Sequence, residues 1–352
     1  MTDLKFFQNK NVLITGHTGF KGTWLARILL NAGANVTGYA LEPPTSPSLF
    51  ELMHLDKEIH SVIGDIRDLS RLKQVFEEVQ PEIVLHLAAQ PIVRDSYKDP
   101  VYTYETNVMG TVNICECVRL NPCVKSFLNV TTDKVYHNRE WEWGYRETDP
   151  LDGYDPYSNS KSCSELVTHS YKKSFFEDGR CAISTSRAGN VIGGGDWAKD
   201  RLIPDIVRAL HSGEEIVLRN PAAVRPWQHV LEPLGGYLLL GYLASVRYDD
   251  LSDAYNFGPN PEDTLTVEQM TALATDIWGI GKYRVEQDLS APHEAGLLKL
   301  DISLAKAELE WKPGMNAHKA LELTLQWYKT YYQNKESISA LTERQIQYFF
   351  SK

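Results

Sequence analysis

Two short stretches of the chain carry side chains that could work together as acid and base. Residues 129–136 read NVTTDKVY, so the apolar run from Val124 to Val130 ends on Thr131, Thr132, Asp133 and Lys134. A strand that closes on two hydroxyls, an acid and a base is either a reactive strand tip or the start of a helix, since Thr and Asp are good N-cap residues. Residues 157–161 read YSNSK. On a helix, Tyr157 and Lys161 stand at i and i+4 and share one face. An ammonium beside a phenol favours the phenolate and is expected to lower the Tyr157 pKa from its usual value of about 10. Tyr157 then takes a proton from a carbinol as hydride leaves the same carbon. The bland alternative for this pair is a solvated helix face.

A leaving hydride needs an acceptor, and the start of the chain offers a place for one. Residues 15–22 read TGHTGFKG, with Gly16, Gly19 and Gly22 between a strand-like NVLITG (11–16) and a helix-like KGTWLARILLNAG (21–33). Glycines at such a junction allow a tight turn and bring the backbone up to a pyrophosphate at the helix N-terminus. Gly16, Thr18, Gly19, Phe20, Lys21 and Gly22 are therefore candidate dinucleotide ligands; the alternative is a structural glycine turn.

The elements that would hold these groups follow in regular alternation. Strand patterns cover 11–16, 35–41, 60–68, 82–89, 124–132 and 180–193, with helical patterns over 21–33, 69–79, 100–121 and 157–176. That alternation implies an α/β fold, a doubly wound parallel sheet of Rossmann type with right-handed crossovers. Past about residue 190 the pattern loosens. We read residues 1–187 as the dinucleotide-binding domain and 188–352 as a smaller C-terminal substrate-binding domain, partly interleaved. Later chain, about 228–260, is expected to return to the first domain, with AYNFGP (254–259) as a strand rejoining its sheet.

Composition narrows the function class. The chain has 352 residues, 43% hydrophobic and 23% charged, with a formal net charge of -10. Such an acidic balance argues against a nucleic-acid partner, which would show a basic stripe. Five cysteines, an odd number with no C-x-x-C pair, fit a reduced cytoplasmic setting and suggest no metal site. MTDLKFFQNK lacks a signal-peptide core, and the longest apolar stretch, 234–246, is too short to cross a bilayer and reads as a buried helix, so no membrane partner is expected.

The spacing G-x-x-G-x-x-G resembles that of the extended short-chain dehydrogenase/reductases. In that resemblance Thr132 completes a triad with Tyr157 and Lys161. The tip TTDKVY is further similar to the nucleotide-sugar 4,6-dehydratases, whose usual pattern is Thr-Asp-Glu followed by Val-Tyr. Members of that family oxidise C4 of a hexose, remove water across C5 and C6, and return the hydride to C6. The resemblance implies that Asp133 protonates the departing C6 hydroxyl. Lys134 stands where Glu is usual, either as the base for the C5 proton or as a support for the developing enolate.

The same resemblance implies an NAD site formed also by Asp65 and Ile66 in GDIRD, by Leu87, Ala88 and Ala89 in HLAAQ, and by Thr106 in YETNVMGT. Asn107 either joins that site or ties neighbouring backbone together. Near Ala40 the family expects an Asp for the adenosine ribose; none is present, nor is an Arg that would hold a 2′-phosphate, so NAD is favoured over NADP. Substrate ligands implied are Gln90 and Arg94 in QPIVRDSY, Asn190, Arg201 and Leu202 in the stretch 187–210, and Arg225 in VRPWQHV. Any one of these arginines could otherwise be a surface ion pair. Together these stretches are most similar to the branch that acts on CDP-glucose, which supplies 3,6-dideoxyhexoses to the O-antigen of bacterial lipopolysaccharide. That family associates through two helices per subunit, here 100–121 and 157–176, implying a homodimer or homotetramer. Other readings are a nucleotide-sugar 4-epimerase, which needs Tyr157 and Lys161 but no acid at Asp133, a plain sugar dehydrogenase, and a non-catalytic cofactor-binding protein.

Overall fold

Alternating strand and helix patterns become a central sheet in the computed structural model, which describes residues 3–246, 251–286 and 296–351. The first half runs β1 (Asn11–Thr15), α1 (Phe20–Asn31), β2 (Asn35–Ala40), α2 (Leu49–Leu52), β3 (His60–Ile63), α3 (Leu69–Val79), β4 (Ile83–His86), α4 (Val93–Lys98), α5 (Pro100–Tyr104), α6 (Gly110–Leu120), β5 (Ser126–Val130), α7 (Pro156–Phe175) and β6 (Ala182–Ala188). The second half adds β7 (Val191–Ile192), α8 (Leu202–Ser212), β8 (Ile216–Leu218), β9 (Val224–Arg225), β10 (Gln228–His229), α9 (Leu231–Val246) and β11 (Ala254–Phe257). It closes with β12 (Leu265–Thr266), α10 (Val267–Trp278), β13 (Tyr283–Val285), α11 (Ser303–Glu308), α12 (Ala317–Gln333) and α13 (Ile338–Phe350).

Seven strands form one parallel sheet in the order β11-β6-β5-β4-β1-β2-β3. Strands β4, β5, β6 and β11 are buried along their whole length, as a helix-covered parallel sheet requires, while the edge strand β3 exposes His60 and Ile63. Along β1, Val12 and Ile14 join one apolar layer while Leu13 joins the other, following the two-residue alternation of a strand. The strand order reverses between β1 and β4, and that is where the crevice for a ligand opens at the carboxyl ends of the strands.

Beyond β6 the chain leaves the sheet, returns as α9 and β11, and leaves again. The expected rejoining strand is β11, paired parallel to β6 with Asn256 opposite Arg187. The apolar stretch at 234–246 lies within α9, whose Leu234, Tyr237 and Leu238 are fully enclosed. The rest of the second half forms a small lobe of two-stranded pairs, β7 with β10, β8 with β13 and β9 with β12, backed by helices.

The helix expected over 100–121 is not regular. Between α5 and α6 the chain makes a π-helical turn, Glu105–Met109. Asn107 explains it. Its Oδ1 accepts from the Gln90 amide at 2.8 Å, and its Nδ2 donates to the Gln90 carbonyl at 3.1 Å and to Ser160 Oγ at 2.9 Å. Holding that side chain against the strand exit takes an extra residue in the helical turn, a device common near functional sites.

Candidate active site

At the crevice, Gly16 adopts φ +78°, and a Cβ there would sit 2.8 Å from the Ala88 amide nitrogen. Only glycine lets the Leu87–Ala88 backbone close over this turn. Gly22 is equally constrained, since its Cβ would meet the Gly16 carbonyl oxygen at 2.1 Å. Gly19 is the N-cap of α1 and supplies no side-chain cap, so the first-turn N–H groups of α1 are left for an anion. Thr18 donates from its hydroxyl to the Leu41 carbonyl at 2.9 Å, fixing the loop against β2. Beside the groove, the buried Thr106 hydroxyl has no hydrogen-bond partner. A glycine cradle, an uncapped helix start and a waiting hydroxyl fit a dinucleotide.

The stretch expected to meet adenine is more occupied than the sequence suggested. Asp65 accepts from the Arg67 amide at 2.9 Å and from its guanidinium at 2.7 Å, and Arg67 holds that carboxyl below its usual range. Arg67 also pairs with Glu105 at 3.0 Å and covers the Tyr102 ring at 4.8 Å. Ile66 is buried, its methyl 2.8 Å from where a Gly110 Cβ would stand. His17, in the glycine turn, is enclosed by Phe50 and Gly38 and bonds Ser61 Oγ at 2.7 Å. Burial pushes it down to about 4, so it is neutral at physiological pH.

The tip of β5 divides its two hydroxyls. Thr131 turns inward, donating to the Glu165 carboxylate and, at 3.3 Å, to the Ser186 carbonyl. Thr132 turns outward, where its hydroxyl reaches both the Tyr157 phenol and, at 3.0 Å, Asp133 Oδ1. Thr132 also caps the short 3-10 turn Asp133–Val135, the N-cap role its residue type suggests. Tyr157 and Lys161 lie on the buried face of α7, and Lys161 Nζ donates to the Val130 carbonyl at 3.1 Å.

The electrostatics depart from expectation at Tyr157. Burial raises the phenol to about 12, with Thr132 and Arg201 acting only partly against it. Desolvation lowers the Lys161 pKa to about 8, a fall that Glu165 limits. Lys21 is likewise brought down to about 7 by burial and by the neighbouring charges of Arg201 and Lys161.

Asp133 is 1% exposed, and burial raises its pKa against the pull of Lys134, Thr132 and Arg225. Asn190, in a left-handed conformation at φ +45°, donates to its Oδ2 at 3.5 Å. Gly189 makes the room: a Cβ there would lie 1.8 Å from that same oxygen.

These groups open into one cavity of about 780 Å³. Thr132, Asp133, Lys134 and Tyr157 line its reactive end, and Lys21, Arg94, Asn190, Arg201, Leu202 and Arg225 also face it. Arg201 is tied to Asp196 at 2.8 Å, and Arg225 donates to the Val224 carbonyl at 3.0 Å. Gln90 differs. Its amide nitrogen donates to Thr103 Oγ1 at 2.9 Å and its amide oxygen accepts from the Ile92 N–H at 2.5 Å, so it braces the loop behind the cavity rather than lining it. Asn107 takes the backbone-tying role described above.

Sequence reasoning missed the support beneath the tip. Glu165 and Arg187, each about 4% exposed, pair at 2.9 Å. Burial opposes the Glu165 carboxylate, but Arg187 and the hydroxyls of Thr131 and Thr185 hold it ionised below the usual range. Arg187 continues to Tyr136 OH at 2.8 Å, and Tyr136 donates to Asn256 Oδ1 at 2.7 Å. The i+8 spacing of Glu165 from Tyr157 was the available signal, since it puts Glu165 on the same buried face of α7.

A family model described as GDP-mannose 4,6 dehydratase matches residues 13–324. The chain belongs to that family. Among its relatives, the CDP-glucose 4,6-dehydratase of Salmonella typhimurium is 47% identical over 356 aligned positions, covering 100% of this chain and 99% of the relative. The dTDP-glucose 4,6-dehydratase of Streptomyces antibioticus is 28% identical, covering 91% and 92%. Of solved structures, a dTDP-glucose 4,6-dehydratase from Streptomyces venezuelae with NAD bound superposes with a TM-score of 0.77 at 26% identity, over 94% of this chain and 99% of that one. A UDP-glucose 4-epimerase from Thermotoga maritima reaches 0.79 at 22% identity, covering 92% and 99%, a likeness of fold. Against the dehydratase pattern Thr-Asp-Glu, this member has Lys134 in the last place. Among the described residues, no helix is long and apolar enough to cross a membrane and no cluster of side chains could hold a metal.

Proposed function

We propose that the protein converts CDP-glucose to CDP-4-dehydro-6-deoxyglucose and water, with NAD as a retained cofactor. The observation that carries this reading is Asp133: a buried carboxyl with a raised pKa, bonded to the hydroxyl of the Thr132–Tyr157–Lys161 group. A buried carboxyl of raised pKa, facing the cavity beside a carbinol-oxidising centre, has no task in a plain dehydrogenase or an epimerase. It has one where a hydroxyl must leave as water.

Gly16, Gly19 and Gly22 with the start of α1 would hold the pyrophosphate of NAD, Leu87, Ala88 and Thr106 would line its middle, and Asp65 with Arg67 would stand at its adenine end. Bound there, NAD would supply the acceptor for the C4 hydride and the donor of the same hydride to C6. Tyr157 takes the C4 hydroxyl proton, guided by Thr132, while the Lys161 ammonium steadies the phenolate. The resulting C4 ketone acidifies the C5 proton. Asp133 donates its proton to the C6 hydroxyl, which departs as water. Lys134 serves the C5 proton transfer, as base or as the cation that holds the enolate. Arg225 and Arg201 bind the diphosphate, a task suited to planar guanidinium.

Homodimerisation or tetramerisation through α5, α6 and α7 completes the reading. It is supported by exposed apolar side chains on these elements, with Val101 66% and Leu166 56% exposed. The test is product analysis by NMR, with NAD and each nucleotide-glucose offered in turn. A 4-keto-6-deoxy sugar from CDP-glucose without net NADH is expected. A change only in C4 configuration, or steady NADH accumulation, would overturn the reading.

A further inference from the structure

The cavity extends well past its reactive end. Beyond Arg201 and Arg225 it runs between α8 and β8, where Leu202, Ile206 and Leu218 make an apolar slot. At this far end stand three charged side chains that the mechanism does not use. Asp200, in a left-handed conformation at φ +61°, sits in the loop before α8. Its Oδ1 lies 3.4 Å from the Arg219 guanidinium just past β8, and 3.4 Å from the Arg94 guanidinium on α4 across the cleft. All three line the cavity and are partly exposed, at 32%, 48% and 26%. Both contacts are long and fall on one carboxylate oxygen. An Asp fully engaged in structure would make shorter, bidentate contacts with its arginines, as Asp65 does with Arg67.

We propose that Asp200 and Arg219 read the nucleobase of the substrate and select cytosine. The proposal rests on the CDP-glucose reading above and goes further by assigning the base contact. Cytosine presents an amino donor at N4 beside acceptors at N3 and O2. Asp200, which can only accept, meets N4–H₂. Arg219, which can only donate, meets N3 and O2. Uracil and thymine reverse two of these three groups. Their O4 would face the Asp200 carboxylate and their N3–H would face the Arg219 donors. A site built from such groups rejects the wrong base because its own polar atoms are then left unpaired. Arg94 closes the cleft from the opposite wall and offsets the Asp200 charge.

Two variants test this, Asp200→Asn and Arg219→Met, both at partly exposed positions. Binding of CMP and UMP is measured by calorimetry, and kcat/KM is measured for CDP-glucose and UDP-glucose. Wild type is expected to prefer cytosine in both assays. Asp200→Asn brings an amide donor that tolerates O4 and should narrow the preference by about 10- to 100-fold. Arg219→Met should weaken CMP more than UMP. Equal binding of CMP and UMP by wild type, or a preference that both variants keep within about threefold, would overturn the assignment. Failure of the proposed reaction is a separate result: no 4-keto-6-deoxy product from CDP-glucose, while the CMP to UMP ratio still responds to Asp200→Asn.

Discussion

Gly189→Ala is the sharpest test of how the acid is held. The new methyl would lie 1.8 Å from Asp133 Oδ2 and 2.1 Å from its Cγ. To reach even a tight contact near 3.0 Å, the oxygen must retreat by about 1.2 Å. The carboxyl cannot make that move and keep its 3.0 Å bond to Thr132 and its 3.5 Å contact with Asn190. A misplacement of about 1 Å in a reacting group costs on the order of 10² in rate. The acid step should therefore slow by about 100-fold or more, with overpacking costing about 1–3 kcal/mol of stability. Tyr157 and Lys161 are held by α7 and Val130, away from this collision, so C4 oxidation should persist. Single-turnover absorbance would then show NADH forming and decaying slowly, where wild type shows little build-up. A variant that keeps wild-type kcat, or one that loses oxidation and elimination alike, would refute the idea that Gly189 exists to seat Asp133.

Other outcomes follow from the same geometry. Tyr157→Phe should remove C4 oxidation, lowering kcat by about 10²- to 10⁴-fold with no NADH transient; a surviving transient would mean another base. Asp133→Asn should keep the transient and stall elimination. Because the native Asp133 pKa is raised above its unfolded value, ionising it costs stability as pH rises through the native pKa, so Asp133→Asn should melt higher than wild type on the alkaline side and lose that advantage in acid; equal melting at all pH values would contradict this. With Tyr157 at about 12 and Lys161 at about 8, the phenolate–ammonium form of the free protein grows with pH up to about 8 and stays level above it. The kcat/KM profile should do the same, and a decline between pH 8 and 9.5 would count against that pairing. Glu165→Ala strands Arg187 in the interior and should cost about 3–5 kcal/mol by denaturant unfolding; a loss under 1 kcal/mol would mean water reaches the pair.

What could be read ahead of the structure was local. The glycine turn, the Tyr157–Lys161 spacing and the TTDK tip each declare themselves within eight residues, and the β–α alternation that places them is a matter of period. Even the return of β11 was visible, as a short apolar strand pattern after a helix. Unreadable features depend on residues far apart in the chain. Nothing in GDIRD says that Arg67 will also reach Glu105, 38 residues on, and nothing in HLAAQ says that the Gln90 side chain will turn inward to Thr103. The π-helical turn at Glu105–Met109 arises because Asn107 meets a backbone 17 residues upstream. Tyr157 and Lys161 share a face as their spacing requires, yet the depth of burial that sets both pKa values comes from packing that no motif records.

One more consequence lies in the neighbouring threonines of β5. Thr131 meets Glu165 and Thr132 faces Tyr157 and Asp133 only because successive residues of a strand point to opposite sides. Insertion of a single residue between Ser126 and Val130 would carry Thr131 into the place of Thr132, and loss of one would turn Thr132 toward Glu165. Both would still be threonines, so the composition of the site would look intact while its function was gone. The length of this strand thus matters to the site as much as the identity of any residue on it.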